Sequence, residues 1–106
     1  MPDHALYVEG WAVAVDVVIE HGWIELDGGI IDPTGFNIKP MFYYPGLRFT
    51  KDEIRAALNK TRRKLPVVWY LYGWGGQNNP DYMTAYKQAL TKSNELITGP
   101  QAGNKA

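Results

Sequence analysis

The tripeptide Asp27-Gly28-Gly29 lies between two runs of β-branched and apolar residues. No other local feature restricts the fold as strongly. Glycine takes the positive φ that primed two-residue turns need, so this pattern marks a β-hairpin with strands over 18–26 and 29–33. Upstream, Leu6, Val8, Val13, Val15, Val17, Val18 and Ile19 make residues 6–19 extended. That stretch is too long for one ordinary strand, so a turn is expected near Ala14 to Val17 around Asp16. Pro33, Gly35, Pro40, Pro45 and Gly46 predict an irregular segment over 33–49.

Helices come later. Thr50-Lys51-Asp52-Glu53 is a capping box, in which the Thr hydroxyl and the Glu carboxylate each satisfy a free backbone N–H. Ile54, Ala57, Leu58 and Thr61 then form a buried stripe at helical spacing. Lys60, Arg62, Arg63 and Lys64 fall where the helix dipole favours cations, and Pro66 ends the helix. Val67 to Tyr72 reads as a strand by its β-branched and aromatic content, and residues 73–78 as a loop. Asn79 caps a second helix with Pro80 at its first position. Its predicted apolar face is Met83, Tyr86, Leu90 and Ile97, and Gly99-Pro100 its stop. The expectation is one α+β domain over 1–100, with an antiparallel sheet of four or five strands and two packed helices, and a disordered tail over 101–106.

Composition bounds the function. The 106 residues contain no cysteine, which excludes disulfides, thiolate metal sites and a cysteine nucleophile. With 45% hydrophobic and 13% aromatic residues the chain has a core to bury. No run of 18 apolar residues is present to span a membrane. The first 20 residues lack a basic start and a cleavage site, so a cytoplasmic protein is expected. The zero net charge hides a polarity: residues 1–38 carry seven acids and no Lys or Arg, and residues 39–106 carry all 11 basic residues and four acids. Either the two halves neutralise each other across the fold, or the surface is bipolar and steers a charged partner.

The hairpin also predicts a chemical constellation. With the turn at Asp27-Gly28, Leu26 faces Gly29, Trp23 faces Asp32 and His21 faces Thr34. His21, Trp23, Glu25, Asp32 and Thr34 then share one sheet face. His21 and Asp32 become diagonal neighbours, about 7–8 Å apart along the backbone and within side-chain reach. A carboxylate beside an imidazole fixes its tautomer, which is the orienting half of a nucleophile–His–Asp triad. The same spacing equally describes a buried histidine held by a structural aspartate.

Tyr7-Val8-Glu9-Gly10-Trp11-Ala12, His21-Gly22-Trp23-Ile24-Glu25 and Gly29-Ile30-Ile31-Asp32-Pro33-Thr34, about a quarter of the chain, resemble the His–Asp portion of papain-like and transglutaminase-like proteins of bacteria and phages. The resemblance implies His21 as general base and Asp32 as its orienter, with Glu9 and Trp23 as motif positions. It also implies a Cys on a helix before the Tyr7 strand, and only Met1 to Leu6 stand there. Without a nucleophile a His–Asp pair cannot run covalent acyl transfer. The leading expectation is therefore a degenerate active site in a non-catalytic binding or inhibitory module for a protein or peptide. The alternatives are a hydrolase or transferase whose nucleophile comes from a partner chain, and a pair that activates water.

Two loops and one helix offer binding chemistry. Tyr43 and Tyr44 suit a cleft wall. Trp74, Gln77 and Asn78 offer an aromatic platform with amide donors, suited to a carbohydrate or a peptide backbone. The basic helix over 51–64, with nearby aromatics, would suit nucleic acid. With only His4 and His21 as imidazoles, no metal site is expected. No phosphate or dinucleotide fingerprint occurs, so no cofactor is expected.

Overall fold

The computed structural model describes residues 1–32 and 41–105. The fold is α+β: a four-stranded antiparallel sheet with helices. Strands β1 (Leu6–Ala14), β2 (Val17–Leu26), β3 (Gly29–Ile31) and β4 (Met41–Phe49) are ordered β3-β2-β1-β4. Helices α1 (Lys51–Lys60), α2 (Val67–Tyr72) and α3 (Pro80–Lys105) follow, with one 3-10 turn at Trp74–Gly76. No helix among the described residues is long and apolar enough to cross a membrane.

The two hairpins are where the sequence predicts them. Leu26 pairs with Gly29, and Asp27 (φ 52) and Gly28 (φ 79) both take the positive φ of a type I′ turn. Ala14 pairs with Val17 across a two-residue turn of Val15 and Asp16. Val15 sits at φ 61, an unfavourable region for a β-branched residue. The Ser93 hydroxyl donates to the Asp16 carbonyl at 2.6 Å, so α3 fastens this turn from outside.

Four expectations are corrected. Met41–Phe49, expected within an irregular segment, is a strand despite Pro45 and Gly46. It is tolerated because β4 is an edge strand and a bulge falls between the Glu9–Leu47 and Gly10–Pro45 pairs, leaving Gly46 unopposed. The rest of the expected irregular segment, 33–40, and with it Pro33 and Thr34, lies outside the described residues. Second, Val67–Tyr72 is a helix and not a strand, for a tertiary reason given below. Third, α3 does not stop at Gly99-Pro100 but continues to Lys105.

Fourth, the face that α3 buries differs from the one expected. Tyr82, Ala85, Ala89 and Ser93 are buried, whereas Leu90 and Ile97 are exposed. Small residues let the helix lie close on the sheet. A Cβ on Gly46 would stand 3.0 Å from the Tyr82 Cα and 3.1 Å from the Glu9 carbonyl oxygen. Both are backbone atoms that cannot swing away. Gly46→Ala should therefore cost about 1–3 kcal/mol in urea denaturation, through displacement of α3 or of the bulge. An unchanged midpoint would show that the approach is looser than this geometry.

Both capping devices form. Thr50 Oγ1 accepts the Glu53 N–H at 3.1 Å and Glu53 Oε1 accepts the Thr50 N–H at 2.8 Å. Asn79 Oδ1 accepts the Tyr82 N–H at 2.9 Å. In the α1 stripe, Ala57 and Thr61 are buried while Ile54 and Leu58 are half-buried.

Candidate functional site

Strand alternation and the observed register divide the sheet residues between two faces. One carries Val8, Gly10, Ala12, His21, Trp23, Glu25, Tyr43 and Arg48; the other carries Tyr7, Glu9, Trp11, Glu20, Tyr44 and Leu47.

On the first face, His21 Nε2 lies 2.6 Å from Asp32 Oδ2, and the Tyr43 hydroxyl donates to that same oxygen at 3.0 Å. The pair spans β2 and the residue after β3, as hairpin pairing demands. Tyr43 reaches it from β4 across the intervening β1, where Gly10 and Ala12 leave room for rings. Trp23 is fully buried, stacks with His21 at 6.1 Å and meets Tyr43 edge-on at 5.0 Å. The His21 and Asp32 side chains keep only 7% and 10% of their exposure. Glu25, on the same face, pairs instead with Arg48 at 2.8 Å. The structure thus brings His21, Asp32, Trp23 and Tyr43 together in a closed cluster.

Glu9 is not part of that cluster. Its side chain lies on the other face, 1% exposed, and accepts the backbone N–H groups of Val67 and Val68 at 2.8 Å each and the Tyr7 hydroxyl at 2.9 Å. These are the first two amides of α2, otherwise without partners in a helix. The carboxylate therefore starts a helix where side-chain composition favours a strand. Burial pushes the Glu9 carboxyl above its usual range, against the pull of the two amides and the phenol; Glu20 adds like-charge repulsion.

Glu20, which composition does not single out, is the second anchor on this face. It accepts the Trp69 indole N–H at 2.6 Å and the Tyr82 hydroxyl. One carboxylate thus ties both α2 and α3 to β2. The available signal was two acids, Glu9 and Glu20, set among apolar strand residues and brought to one face by the hairpin at Val15-Asp16.

Beside these anchors a groove of about 430 Å³ opens, lined by Trp11, Val18, Trp74, Gln77, Met83 and Tyr86 with the Gly75 backbone. Trp11 packs against Tyr86 at 4.6 Å and Tyr82 at 5.3 Å. Trp74 is 77% exposed, and its ring lies 4.3 Å from that of Trp69. Of the predicted binding residues, Trp74 and Gln77 line this groove. Asn78 is exposed nearby in sequence without lining it, and Tyr43 and Tyr44 lie on opposite sheet faces. The indole N–H groups of Trp11 and Trp23 are buried with no acceptor among the described residues. Among the described residues no cluster of three or more His, Asp or Glu is placed to hold a metal ion.

Two predictions follow from the carboxylate anchors. Glu9→Gln replaces one acceptor oxygen by an amide donor facing a helix N–H, and should lower stability by about 2–4 kcal/mol. A loss below about 0.5 kcal/mol would mean that α2 forms without it. Separately, burial and the adjacent carboxylates hold the Tyr7 and Tyr82 phenols well above their ordinary value of 10. A raised native value favours the protonated fold, so this stability is complete below pH 10 and is lost as pH rises beyond it. In an ultraviolet tyrosinate titration, Tyr7 and Tyr82 should ionise only with unfolding. Ionisation of all seven tyrosines in one step with an intact circular-dichroism spectrum would contradict this.

Comparison of the chain with protein-family models, with curated proteins and with solved structures finds no match.

Proposed function

We propose that this domain is a non-catalytic binding module that takes a peptide or a segment of a protein in the groove between Trp11, Trp74 and Tyr86. The carrying observation is the exposed indole of Trp74 standing over a preformed groove that has no charged lining side chain among the described residues. A volume of about 430 Å³ lies within the range of small-ligand sites. Exposed aromatics on rigid backbone supply contact area at little entropic cost. Trp74 is held by its ring contact with Trp69, which Glu20 fixes in turn. Gln77 offers an amide that pairs with a peptide backbone from the rim.

In this reading the domain is a reduced relative of the papain-like and transglutaminase-like proteins it resembles, cytoplasmic in setting. The His21–Asp32 pair serves as an internal clamp. Its near-complete burial and the absence of cysteine from the chain support that role.

A second reading has one observation in its favour. The 2.6 Å His21–Asp32 bond, with Tyr43 on the same oxygen, is the geometry of an oriented base. Such a half-site would serve a hydrolase or transferase whose nucleophile a partner chain supplies.

Selection of a displayed random-peptide library separates the two. The binding-module reading predicts peptides that bind wild type and lose at least about tenfold in affinity (~1.4 kcal/mol) on Trp74→Ala, with affinity kept on His21→Gln. Selected peptides indifferent to Trp74, or ester or amide turnover abolished by His21→Gln, would contradict it.

A further inference from the structure

The basic stretch after α1 has an unusual backbone. The Arg63 N–H donates to the Leu58 carbonyl at 2.7 Å and the Arg62 N–H to the Asn59 carbonyl at 3.4 Å, the bond pattern of a Schellman helix end. That motif places a left-handed residue just past the helix, and glycine is the usual occupant. Here Arg62 (φ 56) and Arg63 (φ 61) both take left-handed backbone, so two arginines stand in consecutive strained positions. The turn is nonetheless well fixed. Thr61 is buried, its hydroxyl lies 3.3 Å from the Lys64 carbonyl oxygen, and the Lys64 N–H donates to the Thr61 carbonyl at 3.2 Å.

The electrostatics point the same way. From Ile54 to Pro80 the chain has no Asp or Glu, and it carries Arg55, Lys60, Arg62, Arg63 and Lys64. Across the fold, Arg48 pairs with Glu25 and Lys51 with Asp3, so part of the sequence polarity is neutralised. Lys60, Arg62, Arg63 and Lys64 are exposed and have no carboxylate within 4.0 Å among the described residues. Beside them Tyr70 is 52% exposed, with the Lys64 ammonium 5.6 Å from its ring centroid.

We infer that this turn is a binding site for single-stranded nucleic acid, with phosphates on Lys60, Arg62, Arg63 and Lys64 and a base stacked on Tyr70. Four cations without a carboxylate partner among the described residues, at one fixed corner, match a short run of phosphates, and an adjacent exposed ring matches a base face. The cations are bunched in a turn and not spread along a helix that could lie in a duplex groove, which favours a single strand. The site is separate from the Trp74 groove and does not rest on that reading.

Fluorescence anisotropy of the full chain with a labelled oligothymidylate of about 15 nucleotides tests it. Affinity should fall with salt, with a log–log slope of about −3 for four phosphates. Arg62→Gly/Arg63→Gly should weaken binding at least about tenfold and roughly halve that slope, while its melting temperature holds or rises because glycine relieves the strain. Arg62→Lys/Arg63→Lys should keep most of the binding, and Tyr70→Ala should weaken it several-fold with the slope unchanged. No binding at about 50 mM salt, or equal binding by the double-glycine variant, overturns the inference. So does binding to phosphatidylserine vesicles without binding to the oligonucleotide, which would assign the site to a lipid surface.

Discussion

The carboxylate of Glu9 connects the two halves of this structure. It sits buried on the central strand β1 and accepts the first two amide hydrogens of α2. Burying a carboxylate is costly, and three hydrogen bonds offset the cost. Removing the acceptor would leave two buried donors without partners, which is why the arrangement is worth more than an average hydrogen bond. Glu20 repeats the device one diagonal away, holding Trp69 of α2 and Tyr82 of α3. The placement of Trp74 follows. Its ring packs on Trp69, and the groove floor is formed by Trp11, itself wedged between Tyr82 and Tyr86.

The sheet keeps two chemistries apart. Alternation along β1 and β2 sends His21, Trp23 and Tyr43 to one face and Glu9, Glu20 and Trp11 to the other. The imidazole–carboxylate pair is therefore remote from the aromatic groove, although both draw residues from β2. In the proposed reading the first is a clamp that joins β2 and β4 to the segment after β3, and the second is the surface that meets a ligand. The strained basic turn at the end of α1 is a third locus, set by helix termination and not by the sheet.

What could be read from the sequence had local causes. Asp27-Gly28 fixes its own turn, and that turn fixes which residues oppose each other, so the His21–Asp32 pairing was legible before any coordinates. The Thr50–Glu53 box and the Asn79 cap are likewise self-contained. What was not legible depended on distant partners. Val67–Tyr72 has strand composition, yet it is a helix whose first two amides are held by Glu9, 58 residues before Val67. Met41–Phe49 is extended because an edge position and a bulge absorb Pro45 and Gly46. The buried face of α3 runs through Tyr82, Ala85, Ala89 and Ser93, with Tyr82 seated against Gly46, and Leu90 and Ile97 are left outside. For Glu9 the family resemblance implies no more than a motif position, and its parity on the strand does not say which face the helices cover.

Amide hydrogen exchange at Val67 and Val68, followed by NMR in wild type and in Glu9→Gln, tests whether Glu9 holds α2 in place. In wild type both amides should exchange only with global unfolding. In the variant they should exchange through local opening, orders of magnitude faster than the β1 and β2 amides, which stay protected. Fast exchange at these two amides in wild type, or equal protection in Glu9→Gln, would contradict it.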